Sequence, residues 1–76
     1  MTRTIEIDKV RDVAEFVAAA NKVNGAVYAR RGEKLSIDAK SLMGMFALDP
    51  SQPFMIEYPA DATELDAFIT PFEIKA

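Results

Sequence analysis

The chain contains no cysteine and no histidine. Without cysteine there is no disulfide framework, no thiolate nucleophile and no zinc–thiolate site, and a reducing compartment, the cytoplasm, is the expected location. Without histidine the commonest general base is gone, and so is an imidazole that could carry a phosphoryl group. The usual catalytic constellations cannot be assembled; carboxylate or lysine chemistry stays open but nothing marks it, and the expectation is a non-catalytic protein with no metal and no cofactor. Glycine is scarce: Gly25, Gly32 and Gly44 stand far apart and form no phosphate-cradling loop. No apolar run approaches the roughly 18 residues of a membrane span, and Met1-Thr2-Arg3-Thr4 has no apolar signal core behind it. Basic charge is in deficit, with 9 Lys and Arg against 12 Asp and Glu. The net charge of −3 argues against a nucleic-acid partner, whose binding face is usually basic. The Arg30-Arg31 pair is expected in a solvated turn. Glu6, Glu57, Asp61 and Glu64 are expected as solvated positions or caps, without a paired-carboxylate site.

What the chain does have is a short apolar run behind a lone serine, Ser41 to Leu48, closed by Asp49-Pro50. Ser41 is the expected N-cap of a short helix, its side chain accepting from a first-turn N–H. At about 100° per residue from Leu42, Phe46 and Met43 lie on one flank and Met45 and Leu48 on the other. Both flanks cannot be buried on one sheet. Either the fold wraps the helix, or Leu42, Met43 and Phe46 face outward as a contact patch.

The 76 residues make one expected domain, residues 1–76, near the lower size limit for folding without staples. Thr4-Ile5-Glu6-Ile7 alternates as a strand. A helix is expected from about 9 to 23, capped by Asp8 and stopped by Asn24-Gly25, with Val10, Val13, Ala14, Val17 and Ala20 as its apolar stripe and Phe16 beside it. Residues 26–30 and 34–37 flank Arg31-Gly32-Glu33 as a hairpin, with Leu35 and Ile37 facing the core. Phe54 to Tyr58 reads as the fourth strand. Asp61 and Glu64 resemble a capping box ahead of Leu65, Phe68, Ile69 and Phe72. Pro71 should either end that helix near Thr70 or kink it there; ending is the favoured reading, with Phe72 and Ile74 packing the tail. The order β-α-β-β-α-β-α points to an α+β open-faced sandwich, a four-stranded mostly antiparallel sheet with helices on one face.

This order and two stretches resemble HPr, the phosphocarrier family of the sugar phosphotransferase system, over essentially the whole chain. Ala39-Lys40-Ser41-Leu42-Met43-Gly44 is similar to the family's A-K-S-I-M-G run, and Phe16 to Asn21 is similar to its first helix. The family's G-[IL]-H-A-R-P-A motif is altered. Ungapped alignment back from Phe16 sets Lys9 at the phosphoryl-carrying histidine, Arg11 at its arginine and Asp12 at its proline. A protonated lysine offers no lone pair and cannot replace that histidine. The pattern most resembles a Crh-like member, which lacks the histidine and keeps the serine.

The resemblance implies a regulatory or adaptor protein, with Ser41 as a phosphorylation site and Leu42, Met43 and Phe46 as a partner-docking surface. Its implied partners are proteins: an HPr-type serine kinase, a transcriptional regulator or other phosphotransferase-system components. Lys9 and Arg11 form a possible anion-binding pair at a helix N-terminus, or two solvated side chains. Two alternatives stay open, a phosphocarrier using an unusual residue and an HPr fold reused for an unrelated interaction with Ser41 only a cap.

Overall fold

A computed structural model describes residues 1–74. The chain order is β1 (Thr2–Ile5), α1 (Val10–Asn21), β2 (Tyr28–Arg31), β3 (Leu35–Asp38), α2 (Leu42–Leu48), β4 (Phe54–Glu57) and α3 (Thr63–Ile69), followed by a 3-10 turn, Thr70–Phe72. The four strands form one sheet in the order β1-β4-β2-β3, every neighbouring pair antiparallel. The fold is the expected α+β open-faced sandwich.

The sheet alternates as period two requires. Ile5, Ala29, Phe54 and Ile56 are buried on the helix side, whereas Thr4, Tyr28 and Met55 are exposed on the open side. Arg30 lies on that open side, 3.2 Å from Glu57 and over the Tyr28 ring. Val13, Phe16, Val17 and Ala20 of α1, Met45 and Leu48 of α2, and Leu65 and Ile69 of α3 close the core.

Several boundaries differ from the sequence expectation. The first strand runs two residues earlier, and Ile7 remains buried outside it because its N–H donates to the Pro50 carbonyl at 2.7 Å. The first helix is capped by Lys9 and not Asp8, without a side-chain hydrogen bond. Phe16 is central to the core, and Val10 and Ala14 are exposed. The capping box does not form: Ala62 is the N-cap of α3, and the Thr63 N–H is taken by the Asp61 carbonyl at 2.9 Å. Leu35 points to the helix side but remains 39% exposed at the margin of the sheet, and Ile37 alone of that strand packs against the core. The helix ends at Ile69 and the chain tightens through Pro71, which supplies no N–H and tolerates the first position of a new turn.

The tail closes the outer edge of β1. The Glu6 N–H donates to the Phe72 carbonyl at 3.2 Å and the Ile74 N–H to the Thr4 carbonyl at 2.9 Å. Arg3 holds this corner, 3.2 Å from Asp66 and 3.6 Å from Glu73. The Tyr58 hydroxyl donates to Asp66, and burial, with Asp66 adding to it, pushes the phenol up from 10.0 to about 12. A raised folded-state value means that the folded protein keeps this proton where the unfolded chain loses it. Its contribution is therefore complete below pH 10 and is lost as the pH rises through about 12. Denaturation of wild type and Tyr58→Phe across this window should show the difference between them shrinking. A constant difference would mean that the phenol titrates alike in both states.

Candidate functional site

The apolar run of the sequence becomes α2, and every residue leading into it has a packing task. Ala39 is buried, and its N–H donates to the Val27 carbonyl at 2.9 Å. Asp38 turns the chain: its Oδ1 accepts from the Lys40 N–H at 2.9 Å and its carbonyl from the Ser41 N–H at 3.0 Å. The Lys40 ammonium reaches back to the Val23 carbonyl at 2.9 Å, just past the end of α1, where carbonyls lack intrahelical partners. Asn21 joins the same two segments, donating to the carbonyls of Val17 at 2.8 Å and Lys40 at 3.1 Å. Ser41 caps α2, its Oγ accepting from the Gly44 N–H at 3.1 Å.

Gly44 marks where α2 meets β3. A Cβ there would stand 2.6 Å from Ile37 Cγ2 and 3.3 Å from Ser41 Oγ, so the helix sits closer to the sheet than any side chain would permit. This close seat fixes the rotation of α2. Met45 and Leu48 enter the core, and the opposite flank is left outside: Met43 is 85% exposed, Phe46 43% and Leu42 42%. Three large apolar side chains on two turns of one helix are a patch and not scattered exposure.

Val10 extends this patch. It is 69% exposed and lines, with Phe46, Ile7, Val13, Lys9 and Pro50, a shallow hollow between the start of α1 and the end of α2. Its helical phase is within about 20° of Val17, which is why the periodicity assigned it to the core. Its place in the first turn is what leaves it uncovered. Lys9 therefore belongs to the rim of the apolar patch, whereas Arg11 is exposed outside the hollow's lining. The two do not converge on a shared contact in the structure, and the chain offers no side-chain cap there. Among the described residues no group of three or more acidic side chains could hold a metal ion.

The far end of α2 is held by a residue that the sequence placed in a solvated turn. Arg31 lies in β2 and faces the helix side. Its Nε donates to the Pro53 carbonyl at 3.1 Å, and its Nη2 to the carbonyls of Asp49 at 2.8 Å and Gln52 at 2.9 Å. Its Nη1 donates to the Leu48 carbonyl. One guanidinium thus closes the C-terminus of α2 and wraps the loop that follows. Asp49 takes the left-handed conformation at φ 61°, a C-cap position that Gly or Asn usually fills, and its N–H returns to the Phe46 carbonyl. Its carboxylate accepts from the Ser51 hydroxyl at 2.6 Å. The site is thus a short helix pinned at both ends, with one apolar flank and a capping serine at the surface. No protein-family model matches the chain, and no curated protein matches it.

Proposed function

We propose that the protein is a non-catalytic, HPr-like regulator or adaptor, related to the sugar phosphotransferase system. It would bind partner proteins through Leu42, Met43 and Phe46, switched by phosphorylation of Ser41. The observation that supports this reading is the rigid presentation of an apolar flank beginning one residue after a capping serine. A phosphoserine adds about −1.5 to −2 charge and further acceptor oxygens, and a helix N-terminus is where such charge is tolerated. The Lys40 ammonium is engaged at the Val23 carbonyl, so the free N–H groups of α2 are the nearest support for the phosphate. The added charge would border the apolar flank and change which partners it accepts.

The test is incubation with an HPr-type serine kinase and ATP, followed by intact mass. Wild type is expected to gain one phosphate and Ser41→Ala none. Ser41→Ala should also lose about 1 kcal/mol of stability through the cap. Phe46→Asp, which leaves the cap in place, should slow phosphorylation about tenfold or more, as loss of a central apolar anchor does. Absence of phosphate on wild type, or equal phosphate on Ser41→Ala, would remove the switch. An unchanged rate with Phe46→Asp would move the docking surface elsewhere.

A further inference from the structure

The two edges of the sheet are finished differently. The outer side of β1 is closed by the chain's own tail through the bonds from Glu6 to Phe72 and from Ile74 to Thr4. On the other edge, among the described residues, no segment bonds the outer side of β3. Because Ala39 donates inward to Val27, and the direction alternates along a strand, Ile37 and Leu35 also face β2 with their peptide groups. The N–H and carbonyl of Ser36 and the N–H of Asp38 therefore face outward. The Asp38 carbonyl is already used by Ser41.

We propose that this edge is a self-association surface whose occupant is a second copy of the same strand, paired antiparallel about a two-fold axis through Ser36. That register sets Ser36 against Ser36 of the second copy, exchanging both of their outward bonds. It sets Lys34, the last residue of the turn, directly opposite Asp38 of the second copy, so opposite charges meet twice. It sets Leu35 opposite Ile37 of the second copy on the helix side, covering the large apolar side chain that the monomer leaves at the sheet margin. Both pairings respect the faces, since Lys34, Ser36 and Asp38 share the open side and Leu35 and Ile37 the helix side. Half-step registers are excluded because they would match an outward peptide with an inward one. Moving the axis to Leu35 or to Ile37 sets Lys34 opposite Ser36 or past the end of β3, and loses both opposite-charge pairs. The charge pattern of the edge thus selects one register, and a two-fold axis makes it self-complementary. The product is a continuous eight-stranded sheet with both helix layers on one side.

A four-residue edge buries less than the roughly 1,200 Å² of a standard interface, so the dimer is a weak one. Sedimentation equilibrium should show it forming near 1 mM, an approximate scale for such contacts, and dissociating on dilution to about 10 μM. Amide resonances of Ser36 and Asp38 should shift over the same range. Lys34→Glu alone and Asp38→Lys alone each set like charges opposite one another in the two-fold pair, and both should be monomeric. Their equimolar mixture sets each introduced charge against an opposite one and should dimerise as wild type does. Circular dichroism of each variant confirms that it is folded. A wild type that stays monomeric near 1 mM overturns the proposal, as does a single variant that dimerises like wild type. A mixture of folded variants that stays monomeric overturns it as well. The wild-type and Lys34→Glu measurements touch neither Ser41 nor the exposed flank of α2, whereas Asp38→Lys also removes the carboxylate that accepts from the Lys40 N–H.

Discussion

Replacing Arg31 with alanine is expected to destabilise the protein by about 2–3 kcal/mol, with the segment 48–53 opening first. A hydrogen bond to a charged donor is worth roughly 1.5–3 kcal/mol, and Arg31 makes such bonds to the carbonyls of Leu48, Asp49, Gln52 and Pro53. Simple addition would overstate the loss. Part of this loop is exposed, so several of its carbonyls regain water when the guanidinium is removed. The expected cost is accordingly nearer to one such bond than to four. For 76 residues at about 0.05–0.15 kcal/mol each, total stability is about 4–11 kcal/mol, so even this is a substantial share. Arg31→Lys separates charge from geometry. An ammonium keeps the charge beside the negative end of α2, but it is a single point and cannot reach carbonyls spread over six residues. It should recover less than about half of the loss. Urea denaturation gives the magnitude, and amide exchange over residues 48–53 gives the location. A lysine variant indistinguishable from wild type would show that charge, and not the fork, holds the loop.

The elements of the fold were legible because their signals are local. Alternation identified Phe54, Ile56 and Tyr58, and all three are buried. Helical spacing identified Val13, Val17 and Ala20, and Pro71 marked the end of α3. The boundaries were set by partners distant in the chain. Ile5 and Ile7 share the period of a strand, yet pairing with β4 stops at Ile5, because the next N–H on the β4 side, that of Ile7, is taken by the Pro50 carbonyl. Leu35 shares the phase of Ile37 but lies where the helix layer no longer covers the sheet. Asp8 and Asp61 satisfy a capping pattern by type and spacing, and in both places the helix begins one residue later than the pattern requires.

The same division runs through the site. Ser41 as a cap and the two flanks of α2 follow from residues within one helix, so the wheel identified them. What fixes that helix in place was not readable. Arg31 and Lys40 act on backbone carbonyls, and a carbonyl carries no signature of its residue type; nothing in the sequence distinguishes Val23 or Pro53 as an acceptor. Lys40 adjoins Ser41 in the sequence, yet its ammonium is turned to the end of α1. Val10 has the phase of the buried stripe, and only its position at the first turn makes it part of the exposed patch.

Gly44 gives a change whose sign separates local preference from packing. On helix propensity alone, Gly44→Ala should stabilise α2 by up to about 1 kcal/mol. The new methyl would instead stand 2.6 Å from Ile37 Cγ2 and 3.3 Å from Ser41 Oγ. The first of these cannot be relieved by a flexible tip. Cγ2 is a branch at the β-carbon of a stiff side chain in a strand, so either Ile37 leaves its rotamer or α2 lifts from β3. Overpacking of this kind costs about 1–3 kcal/mol, which offsets the propensity gain and leaves a net loss of about 1 kcal/mol. Gly44→Val gains only a few tenths of a kcal/mol in propensity and adds two methyl groups beyond the alanine Cβ at the same contact, so a loss of about 3 kcal/mol is expected. Lifting α2 would also disturb the Ser41 cap, since the N–H that Ser41 accepts belongs to Gly44. The decisive measurement is the double-mutant cycle with Ile37→Ala. Removing the opposing methyl should turn Gly44→Ala from destabilising to neutral or stabilising, because the propensity gain would then meet only the lesser contact with Ser41 Oγ. If Gly44→Ala costs the same in both backgrounds, the close seat of α2 on β3 does not set the rotation that exposes Leu42, Met43 and Phe46.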